Sequence, residues 1–169
     1  MRKNICRGNF IVVLLGLVFV AAAVVPVYAQ GASDEVTEMV KDIHLVGDAY
    51  PADLTVASNI LYFTARNVTH GRELWRSDGT EVGTSLVKDI NPGRDSSNPG
   101  YFTVMDGILY FQAIDGVHGR ELWRSDGTEA GTTLVKDIHS GIANSDPKLS
   151  TVIGDTLYFT AYTDTFGNE

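Results

Sequence analysis

GRELWRSDGTEVGT occupies Gly71–Thr84 and GRELWRSDGTEAGT occupies Gly119–Thr132, so one chain carries the same fourteen residues twice with a single change, Val82 against Ala130. The match extends from His70–Ile90 to His118–Ile138 with one further change, Ser85 against Thr133, at a step of 48 residues. A catalytic centre is normally encoded once, whereas a unit that must stack on copies of itself is encoded repeatedly. Other markers keep the step. Leu-Tyr-Phe begins at Leu61, Leu109 and Leu157, Val-Lys-Asp-Ile at Val40, Val87 and Val135, and a proline recurs at Pro51, Pro99 and Pro147. One interval is a residue short, between Ile43 and Pro51, where the counterparts are rich in Gly, Asp and Ser; a loop absorbs the deletion.

Within a unit the pattern predicts four short strands, in the order Thr84–Ile90, Tyr101–Met105, Ile108–Ala113 and Arg120–Ser125. Each is rich in aromatic and β-branched residues and is bounded by turn formers. No window outside the N-terminal thirty residues sustains a helical period. The second and third strands are joined by two residues in every copy, Ser58-Asn59, Asp106-Gly107 and Gly154-Asp155. Asp-Gly suits a type I′ turn and Gly-Asp a type II′ turn, because these residues tolerate positive φ. Asp78-Gly79 and Asp126-Gly127 are read as a further reversal, leading out of one sheet towards the next. Leu109 and Phe111 point to one side of their strand and Ile108 and Tyr110 to the other, and Leu122 lies opposite Trp123. Apolar groups on both faces call for sheets covered on both sides. The expected class is therefore all-β, a β-propeller-like array of four-stranded antiparallel blades with about three units.

The first thirty residues have another purpose. Arg2, Lys3 and Arg7 precede an uncharged apolar run of 16 residues, Phe10–Val25, and small residues flank Tyr28 at Val27 and Ala29. That is the layout of a secretory signal peptide cleaved after Ala29, and the run is short for a bilayer span of about 20 residues. The organisation read from the sequence is a signal peptide at 1–29, a linker at 30–39 and repeats at 40–169, with units near 40–86, 87–134 and 135–169. The expected location is secreted or cell-surface, with no membrane span after cleavage. The chain has one cysteine, Cys6, inside the leader, so the remainder holds no disulfide framework, thiol nucleophile or Cys-based zinc site. Its formal charge is −8, and −11 once the leader is removed. Such a surface repels phosphate backbones and argues against nucleic acid as a partner.

ELWRSDGT, twice, with Gly-Arg before it and Glu-x-Gly-Thr after it, resembles the ELWxxDGT repeat family of secreted or surface-associated tandem-repeat proteins. The resemblance covers the chain from Val40 onward. It implies a propeller-like repeat array and carries no catalytic residues to transfer. The signature residues, with structural roles expected, are Glu73, Leu74, Trp75, Asp78, Gly79 and Thr80, and Glu121, Leu122, Trp123, Asp126, Gly127 and Thr128. Thr160–Glu169 aligns with Thr64–Glu73 and Gln112–Glu121, so the third unit stops inside its fourth strand. The expectation drawn from this is an incomplete array, either a piece of a longer protein or a ring completed by several chains.

The chemistry-bearing residues are explained chiefly by repetition. Trp75 and Trp123 lie within strands, where packing between sheets outweighs sugar stacking. Arg72, Glu73, Arg76 and Asp78 alternate in sign, as do their copies, and read as an ion-pair ladder at the surface or between blades. His70 and His118 share a repeat position that Phe166 takes in the third unit, which argues against a metal ligand; His44 and His139 read as exposed loop residues. Asp78 and Asp126 are the weak candidates for calcium, set against the commoner use of turn aspartates to bond their own backbone. No other cofactor is expected. Asn67-Val68-Thr69 is an N-glycosylation sequon. The functional expectation is an exported, non-catalytic module for binding or adhesion, with a glycan or surface protein as partner. The alternatives are a fragment of a larger propeller enzyme acting on polysaccharide, and a structural protein that self-associates through open sheet edges.

Overall fold

The computed structural model describes residues 38–169. The leader and nearly all of the linker lie outside the described residues. Among the described residues there is no helix. Strands β1 (Ala52–Ala57), β2 (Ile60–Asn67), β3 (Gly71–Ser77) and β4 (Ser85–Lys88) form one sheet in that order. Strands β5 (Gly100–Met105), β6 (Ile108–Ile114), β7 (Arg120–Ser125) and β8 (Thr133–Lys136) form a second of the same topology. The third unit contributes two small sheets, β9 (Lys148–Ile153) with β10 (Thr156–Thr160), and β11 (Tyr162–Thr163) with β12 (Gly167–Asn168). Every pairing is antiparallel.

The two-residue turns take the positive φ values that a tight hairpin requires, even at Ser58. Ser58 and Asn59 have φ of 49° and 63°, and Asp106 and Gly107 have 50° and 76°, as a type I′ turn needs; at Gly154-Asp155 only the glycine is positive, at 57°. The grouping of strands differs from the sequence reading. The Val-Lys-Asp strand closes the sheet it follows: Leu74 pairs with Lys88, Trp75 with Leu86 and Arg76 with Ser85. The Ser-Asp-Gly-Thr segment is thus a connection inside a sheet, and the passage between sheets is the longer stretch 89–99. A strictly repeated strand pattern looks the same whichever strand is counted first, so repetition alone could not set this phase.

Both faces of the first sheet are covered. Phe63, Trp75 and Leu86 stand side by side on one face and, with Ala65, pack on Ile43 and Ala49 of the preceding segment. Tyr62, Leu74 and Val87 pack against Leu109, Phe111, Ala113 and Trp123 of the second sheet. Phe102 meets Phe111 edge to face, 5.9 Å between ring centres. Phe63, Leu74, Leu109 and Phe111 are all fully buried. Each such side chain contributes about 1.5–3 kcal/mol by leaving water.

Candidate functional site: the joints between units

Glu73 and Trp75 are two apart on one strand and share a face, so the signature carboxylate points inward. Glu73 and Glu121 are fully buried. Neither belongs to an ion-pair ladder, which corrects the expectation drawn from alternating signs. Each carboxylate instead grips the passage that follows its sheet. Glu73 accepts from the amide of Ile90 at 3.1 Å, the amide of Ser97 at 2.8 Å and the Ser97 hydroxyl at 2.5 Å. Glu121 accepts from the amides of Ile138 at 3.0 Å, His139 at 3.3 Å and Ser145 at 3.0 Å, and from the Ser145 hydroxyl at 2.6 Å. Burial pushes the Glu73 carboxyl up to about 7, the bonds from Ser97 and Ile90 pull it back, and the nearby Asp89 charge adds a little to the rise.

The gripped serine also reaches forward. Ser97 accepts through its carbonyl from the amide of Ile114 in the second sheet at 2.9 Å, and Ser145 from Tyr162 in the third unit at 2.8 Å. Ala49 plays the same part for Arg66 at 2.8 Å, without a hydroxyl. A lysine staple recurs beside it: Lys41 Nζ donates to the Thr84 carbonyl at 2.8 Å and Lys88 Nζ to the Thr132 carbonyl at 2.9 Å. Arg76 adds a bond from Nη1 to the Gly127 carbonyl at 2.8 Å. The residues that recur in sequence are therefore largely those that fasten one unit to the next.

The signature turn is self-contained. Asp78 Oδ1 accepts from the amide and hydroxyl of Thr80 at 2.9 and 2.7 Å, and Asp126 Oδ1 from Thr128 at 2.8 and 2.7 Å. These bonds, led by the threonine hydroxyl, hold both carboxyls below the usual aspartate range. Ser77 and Thr84 close the turn with a buried hydroxyl pair at 2.7 Å. The aspartates are thus engaged in turn chemistry, and among the described residues no group of three or more His, Cys, Asp or Glu is placed to hold a metal ion.

Trp75 and Trp123 are only 6% exposed and belong to the two cores, so they offer no platform to a sugar. Asn67 and Asp115 cap the turn after β2 and β6. Asn67 Oδ1 accepts from the amides of Thr69 and His70 at 3.1 and 2.7 Å; Asp115 Oδ1 accepts from Val117 and His118 at 2.9 and 2.8 Å. His118 Nδ1 lies 2.7 Å from Asp115 Oδ2, a bond that raises the imidazole above its ordinary value. Burial works to raise the Asp115 carboxyl, but the bonds from His118 and Val117 outweigh it and hold it low. His139 is not a free loop residue: Nε2 lies 3.1 Å from Asp164 Oδ1, Nδ1 lies 3.0 Å from the Asn144 carbonyl, and the ring leans on Tyr162. The carbonyl of Asn144, then the Asp164 carboxylate, raise its pKa.

A groove borders the passage at each joint, and at the first joint the capped turn also lines it. The first, about 640 Å³, is lined by Tyr50, Arg66, Asn67, Arg72, Arg94 and Asn98 among others. The second, about 540 Å³, includes Arg120, His139, Asp146, Lys148 and Tyr162. In the first groove Arg66 and Arg94 stand where the next copy has Ile114 and Ile142, and that difference between copies is the sequence signal for it. None of the family models, curated proteins or solved structures compared with the chain matches it.

Proposed function

We propose that this chain is an exported, non-catalytic repeat module of the ELWxxDGT kind, whose sheets are blades of a propeller-like array and whose work is binding or adhesion outside the cell. The observation that carries the reading is the use of the recurring polar residues. Glu73 and Glu121, Lys41 and Lys88, Ser97 and Ser145, and Asp78 and Asp126 are each engaged in a turn or a joint. The grooves left between units suit a glycan or an exposed segment of a surface protein, and the negative balance of the chain disfavours nucleic acid. A glycan array probed with the full chain, followed by incubation with the polysaccharides it selects, tests this. Retention without release of shorter sugars is expected; turnover would replace the reading with an enzymatic one.

Self-association is the second reading. Ile153, Tyr158 and Phe166 of the third unit are 65%, 50% and 72% exposed, apolar surface that a second copy would cover. Size-exclusion chromatography with light scattering, repeated over a range of concentrations, separates the two. Growth in mass with concentration and no ligand favours assembly.

A further inference from the structure

We infer that the groove at the first joint is a binding site for an anionic polysaccharide, one that carries carboxylates or sulfates on its sugars. The inference rests on reading the chain as a binding module and names that module's ligand class. Three guanidinium groups, Arg66, Arg72 and Arg94, line this groove, and no carboxylate does. That is an unusual concentration for a chain with 13 basic and 21 acidic residues. Arg72 is fixed, with Nη1 donating to the Tyr50 carbonyl at 2.9 Å and to Thr64 Oγ1 at 3.0 Å. The nearby Asp53 carboxylate accepts from Thr64 Oγ1 at 3.3 Å, and among the described residues it forms no ion pair with an arginine. Arg66 and Arg94 are exposed and pair with no carboxylate among the described residues.

The second joint is the internal control. Its counterpart of Arg72 is Arg120, and there Asp146 stands where the first joint has Asn98, with Arg120 Nη1 3.4 Å from Asp146 Oδ1. Ile114 and Ile142 replace Arg66 and Arg94. The architecture therefore needs neither exposed arginine. Guanidinium forks match carboxylate and sulfate oxygens with two parallel bonds. Tyr50, 47% exposed at the same groove, offers a ring face to a sugar, and the side chains of Asn67 and Asn98 offer polar groups at the wall. A polyphosphate would suit the arginines but offers no sugar face to Tyr50.

Isothermal titration of the full chain with oligogalacturonate and, separately, dextran sulfate reads the inference. Binding of at least one at a single site is expected, and the pair tells carboxylate from sulfate. Arg66→Ala and Arg94→Ala should each weaken it about tenfold, the worth of a charge-assisted bond, with the unfolding midpoint unchanged. Ile114→Arg combined with Ile142→Arg and Asp146→Asn should raise the stoichiometry towards two. Failure of both polyanions to bind, binding untouched by the arginine variants, or tighter binding of inorganic polyphosphate would overturn the inference. Retention of a neutral glycan with the arginines irrelevant would leave the module reading standing and remove this one; cleavage of a polysaccharide would remove the module reading itself.

Discussion

Glu73, Glu121 and Glu169 hold the same place in three successive units, yet they live in different surroundings. Ala161 and Glu169 exchange backbone bonds of 2.9 and 3.1 Å, in the register that pairs Ala65 with Glu73 and Ala113 with Glu121. Glu73 and Glu121 are fully buried, whereas Glu169 is exposed. Gly119 and Gly167 differ in the same way: a Cβ on Gly119 would meet the Ala143 carbonyl oxygen at 2.2 Å, and one on Gly167 would meet nothing within 4 Å. Strand pairing is thus common to all three units, while Glu73 and Glu121 are in addition covered by the passages they grip. The signature is a fastening, and its energetic value depends on what it fastens.

The comparison can be broken by substitutions at matched positions. The largest effect is expected for Phe111→Ala, which empties a fully buried site and should cost about 3–5 kcal/mol in urea unfolding; Phe159→Ala, at a half-buried counterpart, should cost clearly less. Next is Glu121→Ala, which strands buried amides and the Ser145 hydroxyl and should cost about 2–4 kcal/mol, against at most about 0.5 for Glu169→Ala. Equal losses would mean that the joint is not what makes the glutamate matter. Gly119→Ala combines a positive φ of 68° with a backbone clash and should cost about 2–3 kcal/mol; Gly167→Ala, with φ of 75° and open space, should cost about 1. The last expected outcome is a slope in pH rather than a difference between two sites. Glu73 is near 7 in the folded state and about 4.5 when unfolded, so the native state keeps the proton longer. Its contribution is complete below about pH 4.5 and is lost as the pH rises to about 7, and Glu73→Gln should flatten that part of the stability profile.

The strands and the tight turns were legible because they depend on neighbours: Asp106-Gly107 carries its own φ preference, and the alternation around Leu109 and Tyr110 carries its own faces. Burial on both sides was legible for the same reason. Three things were not. The phase of the sheets could not be read, since Ser85–Lys88 fits equally well as the last strand of one unit or the first of the next until pairing decides it. The burial of Glu73 was also hidden, because its partner Ser97 lies 24 residues further on, in a loop whose local character is simply polar. The first groove was hidden as well: Arg66 and Arg94 differ from Ile114 and Ile142 of the next copy, but they lie 28 residues apart and only folding sets them beside Arg72.

The span of these fastenings bears on how the chain is made. Glu73 finds its partners 17 and 24 residues downstream, and Lys88 finds its own 44 residues downstream. These reaches join a unit to itself or to its neighbour, so the loops they close stay limited in length. A growing polypeptide can latch each sheet while the next is still being synthesised, one step at a time from the amino end, with no need to hold distant ends together.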